Sequence, residues 1–256
     1  MENRVAVVTG AAGGIGGAVA RALCEEGAVV AALDRDAVRL AETVEKLRGD
    51  GYEAHAFPVD VTDGADVERV VDGVESTLGP VGHLVNAAGV LRLGGVLDYG
   101  DEDWRATFGV NTDGVFHMCR AVVRRMVPRA AGSVVTVASN AAGTPRTAMA
   151  AYGASKAAAT MFTKSLGLEV ARHGIRCNVV APGSTDTPML HSMWRDESGR
   201  TGTVEGDPGA FRTGIPLGRV AQPSNVADAV LFLLSDRARH ITLHVLTVDG
   251  GASLGS

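Results

Sequence analysis

Short apolar runs recur along the chain, and each is followed by a polar or glycine-rich turn and a stretch with helical periodicity. Uninterrupted apolar runs are typical of strands buried on both faces of a parallel sheet. They predict strands at 5–8, 28–33, 54–59, 84–85, 133–138, 175–180 and 243–248. The intervening segments predict helices through about 26, over 36–49, from 62–63 onward, over 104–126, to about 172 and over 225–234. Seven strands alternating with helices predict a single doubly wound α/β domain with a parallel sheet, covering residues 1–256.

One segment interrupts this alternation. Residues from about 188 to 214 are polar and rich in glycine, without a strong period of either kind. Long irregular segments of this type commonly cover a binding site. The segment is therefore predicted to be a substrate lid within the same domain.

The first strand runs into a glycine-rich turn, T-G-A-A-G-G-I-G at 9–16. Glycines at a strand-to-helix turn let the backbone approach a pyrophosphate, and the helix N-terminus supplies free N–H groups. The second strand ends in Asp34, about 20 residues further on, where a carboxylate can bind the ribose hydroxyls of a dinucleotide. Asp34 would repel a 2′-phosphate and so favours NAD over NADP, although the neighbouring Arg35 could reach a phosphate.

Turns after the other strands complete the predicted dinucleotide site. Small residues after the fourth strand would let a ligand cross the sheet edge, and the turn after the sixth strand could receive a carboxamide. The contacts predicted from these turns are Gly10, Gly14, Ile15, Gly16, Asp34, Arg35, Asp60, Val61, Asn86, Ala87, Gly89, Pro182, Gly183, Thr185 and Thr187.

The stretch Tyr-Gly-Ala-Ser-Lys places Tyr152 and Lys156 four residues apart, on one face of a helix. A cation there stabilises phenolate over phenol, which predicts a lowered pKa for Tyr152. Ser139, just after the fifth strand, could complete a site that takes a proton from an alcohol. Taken alone, the spacing also fits an ordinary amphipathic helix with a surface lysine.

Composition narrows the possible partners. The 256 residues carry a net charge of -5, which disfavours a nucleic-acid partner. No apolar run approaches the roughly 18 residues needed to span a bilayer.

The 3 cysteines are far apart in apolar surroundings, and the N-terminus has no signal-like segment, so a cytoplasmic location is expected. His240 and His244 have no Cys or carboxylate cluster beside them, so no metal is expected.

Together, these motifs resemble the short-chain dehydrogenase/reductase family over essentially the whole chain. The glycine-rich turn, the Asp-Val pair at 60–61, the Asn-Ala-Ala-Gly turn at 86–89 and the Pro-Gly pair at 182–183 carry the resemblance. The resemblance implies a Rossmann fold and assembly as a homotetramer, with contacts along 104–126 and 152–172. It also implies a catalytic tetrad formed by Asn111, Ser139, Tyr152 and Lys156.

The resemblance assigns a role to each member of the tetrad. Tyr152 would act as the general acid/base, and Lys156 would lower its pKa and hold the nicotinamide ribose. The resemblance thus adds Tyr152 and Lys156 to the predicted dinucleotide contacts. Ser139 would orient the substrate oxygen, and Asn111 would place a water in a proton relay.

A narrower resemblance concerns the substrate. The segments VNAAGVLRLGG and VTVASNAAGTPRTAMAAYGASKAA are similar to family members that oxidise the C3 hydroxyl of a carboxylated cyclohexadiene diol with NAD, in catecholate siderophore biosynthesis. Arginine makes bidentate pairs with carboxylates. Arg92 and Arg146 lie on loops flanking the catalytic residues, and a substrate site is predicted at Arg92, Ser139, Arg146, Met149 and Tyr152.

Three alternatives remain open at this stage. The ring could carry an amine in place of the C2 hydroxyl, since both rings are carboxylated cyclohexadienols that become aromatic. The chain could be a ketoreductase of the same family. It could also be a dinucleotide sensor that keeps the fold without catalysis. The lid segment departs from the pattern of the diol dehydrogenases.

Overall fold

The computed structural model describes residues 1–194, 196 and 198–255. Within these ranges, seven strands form one sheet in which every neighbouring pair is parallel. The strands are β1 (Val5–Thr9), β2 (Val29–Asp34), β3 (Ala54–Pro58), β4 (Val81–Asn86), β5 (Gly132–Val137), β6 (Ile175–Pro182) and β7 (Val245–Val248). The order in the sheet is β3-β2-β1-β4-β5-β6-β7. The predicted doubly wound fold with seven parallel strands is confirmed.

Helices cover both faces of the sheet. They are α1 (Gly14–Glu25), α2 (Ala37–Gly49), α3 (Gly64–Leu78), α4 (Asp101–Phe108), α5 (Gly114–Met126), α6 (Ala150–Val170), α7 (Pro188–His191), α8 (Ser198–Glu205) and α9 (Pro223–Leu234). Apolar residues of α1, α2 and α9 pack on one face, and those of α3, α5 and α6 pack on the other. No helix in the described ranges combines the length and the apolar character needed to cross a membrane.

The helix predicted over 104–126 differs from the observed one in two ways. The observed helical stretch begins earlier than predicted, at Asp101. A π-helical turn at Gly109–Asp113 divides it into α4 and α5. Such turns widen a helix by one residue and occur often at functional sites. This turn carries Asn111, whose side chain is fully buried.

The strand order reverses between β1 and β4, and open α/β sheets bind ligands at the carboxyl ends of strands beside such a reversal. The side chain of Thr9, at the end of β1, also binds the turn that follows β4. Thr9 Oγ1 accepts hydrogen bonds from the backbone N–H groups of Ala87, at 3.0 Å, and Ala88, at 3.1 Å. The glycine-rich turn and the turn after β4 are thereby held at one place.

The segment predicted as a lid contains α7, α8 and a 3₁₀ turn at Pro208–Ala210. It is anchored on a small buried cluster that includes Leu190 and Ile215. Arg195 and Glu197 belong to this prediction and lie outside the described residues. Closure of the segment over a substrate stays a prediction.

The close contact between α1 and the end of β1 generates a stability prediction. A Cβ added to Gly16 would collide with the carbonyl oxygen of Gly10, so the backbone would have to move. Gly16→Ala should lower the free energy of unfolding by about 1–3 kcal/mol, as overpacking does. Urea denaturation of the purified protein measures this loss.

Gly17→Ala is the matched control for this substitution. It lies on the same helix, and its added Cβ would sit at an ordinary 3.4 Å from the Ala11 carbonyl oxygen. The better helix propensity of alanine should leave this variant as stable as the native protein, or more stable by up to ~1 kcal/mol. Equal stability of the two variants would show that the Gly10–Gly16 contact imposes no constraint.

Candidate active site

A cavity of about 300 Å³ lies along the carboxyl ends of β1, β2 and β4. Eleven of the predicted dinucleotide contacts line it: Gly10, Gly14, Ile15, Gly16, Asp34, Arg35, Asp60, Val61, Ala87, Gly89 and Thr187. Glycines dominate the part next to the N-terminus of α1, where side chains would obstruct a pyrophosphate. Its lining therefore fits a dinucleotide.

Asp34 stands at the end of this cavity beside two cations. Its carboxylate accepts hydrogen bonds from the backbone N–H groups of Ala12 and Asp36, both at 3.1 Å. Arg35 lines the same region, as does Arg39, which the sequence reasoning did not select. Arg39 lies in the first turn of α2, and no motif in the sequence marks it.

A second cavity, of about 260 Å³, adjoins the first, and the two share Ile15, Thr187 and Met189 in their walls. The structure brings most of the predicted substrate site to this second cavity. Ser139, Arg146, Met149 and Tyr152 line it, together with three residues predicted as dinucleotide contacts, Pro182, Gly183 and Thr185.

Ser139 and Tyr152 form a buried pair in the second cavity. Ser139 Oγ accepts a hydrogen bond from the backbone N–H of Ala141 at 3.1 Å, which fixes the hydroxyl. Burial raises the pKa of Tyr152, and the side-chain hydrogen bond with Ser139 opposes that rise. The expected lowering of the Tyr152 pKa is therefore not met in this structure, because desolvation outweighs the hydrogen bond.

Lys156 lies behind this pair and lines neither cavity. Its ammonium Nζ donates to the carbonyl oxygen of Val137 at 3.0 Å and lies 5.9 Å from the centre of the Tyr152 ring. Burial lowers the pKa of Lys156 to about 8. At neutral pH the side chain therefore still carries a positive charge next to the tyrosine.

Asn111 ties the turn after β4 to α6. Its Oδ1 accepts from the backbone N–H of Val90 at 2.9 Å, and its Nδ2 donates to the Val90 carbonyl oxygen and to Ser155 Oγ, both at 3.0 Å. A Cβ on Gly89 would lie 3.3 Å from both Asn111 Oδ1 and Lys156 Nζ. The glycine is thus the thin wall between the first cavity and these two polar groups.

Asn86 is placed differently from the prediction. It is buried and lines neither cavity, and its Nδ2 lies 3.3 Å from both Cys119 Sγ and Thr136 Oγ1. Its contacts are with the core of the sheet, although the residues that follow it, Ala87 and Gly89, do line the first cavity.

The two predicted carboxylate-binding arginines have different positions. Arg146 lines the second cavity, whereas Arg92 is exposed, lines neither cavity and forms an ion pair with Asp103. Arg212, which sequence reasoning missed, lines the second cavity with Arg146. It lies in the irregular segment 188–214, where no motif marks it.

The fold, the glycine-lined cavity and the adjacent buried tyrosine define a nicotinamide dinucleotide-dependent oxidoreductase. Residues 4–198 match the family model described as short chain dehydrogenase. The chain belongs to the short-chain dehydrogenase/reductase family, as its sequence motifs predicted.

Relatives and solved structures agree with this assignment over nearly the full length. The chain is 53% identical over 255 residues to a 2,3-dihydro-2,3-dihydroxybenzoate dehydrogenase of Bacillus subtilis, covering 100% of this chain and 98% of the relative. It is 43% identical over 249 residues to an enzyme of the same name from Escherichia coli, covering 97% and 96%. A crystal structure of a gluconate 5-dehydrogenase from Burkholderia cenocepacia, in complex with NADP and tartrate, superposes with a TM-score of 0.92 at 31% identity, covering 99% of this chain and 96% of that one.

Proposed function

We propose that this protein oxidises the C3 hydroxyl of 2,3-dihydro-2,3-dihydroxybenzoate with NAD, yielding 2,3-dihydroxybenzoate for siderophore or related secondary-metabolite biosynthesis. One observation carries the proposal: the buried Ser139–Tyr152 pair and Arg146 line the same cavity, next to the dinucleotide cavity. A carboxylated ring alcohol fits this arrangement, because its hydroxyl needs a base and its carboxylate needs a cation. The two relatives named 2,3-dihydro-2,3-dihydroxybenzoate dehydrogenase, at 53% and 43% identity, support this choice of substrate.

The proposed reaction breaks the C–H bond at C3, which releases a hydride, and the O–H bond of the C3 hydroxyl, which releases a proton. Bound NAD supplies the acceptor for the hydride from C3. Tyr152, as phenolate, removes the hydroxyl proton, and Ser139 donates a hydrogen bond to the same substrate oxygen. The ketone that forms then tautomerises to the aromatic catechol.

Lys156 and Asn111 support Tyr152 from behind. The charge of Lys156 opposes the effect of burial on the Tyr152 pKa, and the same ammonium would hold the nicotinamide ribose. Asn111, bonded to Val90 and Ser155, would place the water of a proton relay beside α6.

We further propose that NAD is preferred over NADP. Asp34 supports this preference, because its carboxylate is fixed at the end of the dinucleotide cavity and would repel a 2′-phosphate. Arg35 and Arg39 line the same region and would attract that phosphate. Without the Asp34 carboxylate, the two arginines would favour NADP.

The segment 188–214 is proposed as the substrate lid. Met193, Thr203 and Arg212 support this role, because they come from the segment and line the second cavity. A wall contributed by an irregular segment can differ between relatives that share the sheet and its chemistry.

Assembly and location complete the proposal. Homotetramer formation is supported by large apolar side chains exposed on α5 and α6, with Phe116 at 40%, Met161 at 61% and Leu168 at 72% exposure. A cytoplasmic location is supported by the cysteines Cys24, Cys119 and Cys177, which are free thiols.

The direct test is the appearance of reduced-nicotinamide absorbance with the diol carboxylate as substrate. Tyr152→Phe should reduce turnover by at least ~10³-fold, because it removes the general base while leaving the ring in place. Its affinity for NADH, measured by fluorescence titration, should stay close to that of the native protein. Turnover near the native value in this variant would remove Tyr152 from the mechanism.

Lys156 should set the pH dependence of oxidation. Burial raises the Tyr152 pKa, so kcat/KM should rise with pH as the phenolate forms. Loss of a cation 5.9 Å from the ring centre should move that rise to higher pH by about one to two units in Lys156→Met. The pH profile of kcat/KM for the diol measures this shift.

Lys164→Met is the matched control, because Lys164 lies two helical turns further along α6 and lines neither cavity. Its profile should coincide with that of the native protein. If Lys156→Met lost rate at every pH without a shift, Lys156 would act on cofactor binding and not on the tyrosine.

Asp34 should control the choice of cofactor. Asp34→Ser removes the carboxylate while keeping a hydrogen-bonding side chain, and leaves Arg35 and Arg39 beside the ribose. The ratio of kcat/KM for NAD to that for NADP should fall by about 10- to 100-fold, as expected for loss of one charge repulsion. Adding Arg39→Ala should restore part of the NAD preference, and an unchanged ratio in Asp34→Ser would place the selectivity elsewhere.

A further inference from the structure

Two arginines from separate segments line the substrate cavity. Arg146 lies between β5 and α6, Arg212 lies in the lid segment, and both side chains are partly buried. Burial lowers the pKa of Arg146, and the positive charge of Arg212 lowers it further. Two like charges that share a partly desolvated cavity repel each other, and a bound anion would relieve that repulsion.

Neither of these two arginines forms an ion pair with a described residue. Among the residues that the structure describes, no carboxylate lies within 4.0 Å of either guanidinium. Asp249 opposes the lowering of the Arg146 pKa. Its oxygens already accept hydrogen bonds from Asn140 Nδ2 at 3.1 Å and from the backbone N–H of Ser253 at 2.9 Å.

Asp207 is the acidic side chain in the lining of the same cavity. Its Oδ1 accepts from the backbone N–H groups of Gly209 at 2.9 Å and Ala210 at 3.3 Å, and so caps the 3₁₀ turn of its own loop. The carboxylate is therefore used to shape the loop. A carboxylate brought by a ligand would supply the partner that no described residue gives to the two cations.

Two glycines lie in close contact where the two ends of the loop that carries Arg212 meet. Gly206 and Gly214 have φ values of +92° and +81°, and a Cβ on Gly206 would lie 2.7 Å from Gly214 N. Asp207 and Arg212 exchange backbone hydrogen bonds of 2.9 Å in each direction between the two ends of the loop. The Arg212 backbone is thus fixed before any ligand binds, which reduces the entropy cost of binding.

We propose that Arg212 is a second anchor for the substrate carboxylate and, with Arg146, sets the preference for anionic over neutral ring alcohols. This inference rests on the proposed function and assigns a residue of the lid to it. A carboxylate has two oxygens, and a guanidinium can donate to either or both of them. Arg212 would bind the carboxylate on C1 of the ring, and Tyr152 and Ser139 would act on the hydroxyl at C3.

The test compares the diol carboxylate with its carboxamide, which has nearly the same shape and no charge. Arg212→Ala should lower kcat/KM for the carboxylate by about 10- to 100-fold, mostly through KM, as expected for loss of a hydrogen bond to a charged group. Its kcat/KM for the carboxamide should stay near the native value. Arg212→Lys should recover part of the loss, because it keeps the charge without the planar fork.

Arg219→Ala is the matched control, since Arg219 is exposed and lines neither cavity. It should leave the kinetics with both substrates unaffected. An equal fall for carboxylate and carboxamide in Arg212→Ala would overturn the inference, because it would show that the side chain only supports the loop. No change with either substrate would overturn it as well.

A binding measurement separates this inference from the proposed function. Benzoate titrated calorimetrically into the protein saturated with NADH should bind, and Arg212→Ala should weaken that binding by about tenfold or more. If the native protein failed to oxidise the diol but bound benzoate through Arg212, the proposed substrate would be wrong and the anion site would stand. If it oxidised the diol and Arg212→Ala bound benzoate normally, the proposed function would stand and the inference would fail.

Discussion

The hydrogen bonds that Thr9 accepts from Ala87 and Ala88 fix the turn after β4 to the end of β1, at the reversal of strand order. Both parts of the site depend on this junction. On one side, the glycine-rich turn leads into α1 and forms the dinucleotide cavity. On the other, the chain passes through Gly89 to Val90, where Asn111 grips it from the π turn. A shift at Thr9 would therefore disturb the first cavity and the contacts of Asn111 together.

Burial and polarity compete at the tyrosine. Desolvation raises the pKa of Tyr152, which disfavours the phenolate that oxidation requires, while the hydrogen bond with Ser139 acts in the opposite direction. Lys156 is subject to the same desolvation, which lowers its pKa to about 8 and so disfavours its charged form. An ammonium 5.9 Å from the centre of the phenol ring would stabilise a phenolate there, and a phenolate would stabilise the ammonium in return.

The sequence predicted the sheet and its end-of-strand residues well, because a buried parallel strand is an unbroken apolar run and the polar groups that follow it meet at one edge. It did not reveal the π turn around Asn111, since one inserted residue does not interrupt a helical pattern. Arg92 was selected because it closely follows the Asn-Ala-Ala-Gly turn after β4, yet its side chain pairs with Asp103. Arg39 and Arg212 line their cavities because of the tertiary fold. No local sequence pattern predicts which cavity the end of a long side chain will reach.

The division of labour between segments has a consequence for specificity. Ser139, Tyr152 and Lys156 are positioned by β5 of the sheet and by α6, which packs on it, whereas Arg212 is supplied by a loop within 188–214. A gluconate 5-dehydrogenase with 31% identity superposes at a TM-score of 0.92, so the scaffold tolerates different substrates. A carboxylate bound between Arg146 and Arg212 would join the catalytic segment to the lid through the substrate itself. The charge of the ring would then do two things at once: it would select the substrate and hold the lid over the reacting hydroxyl.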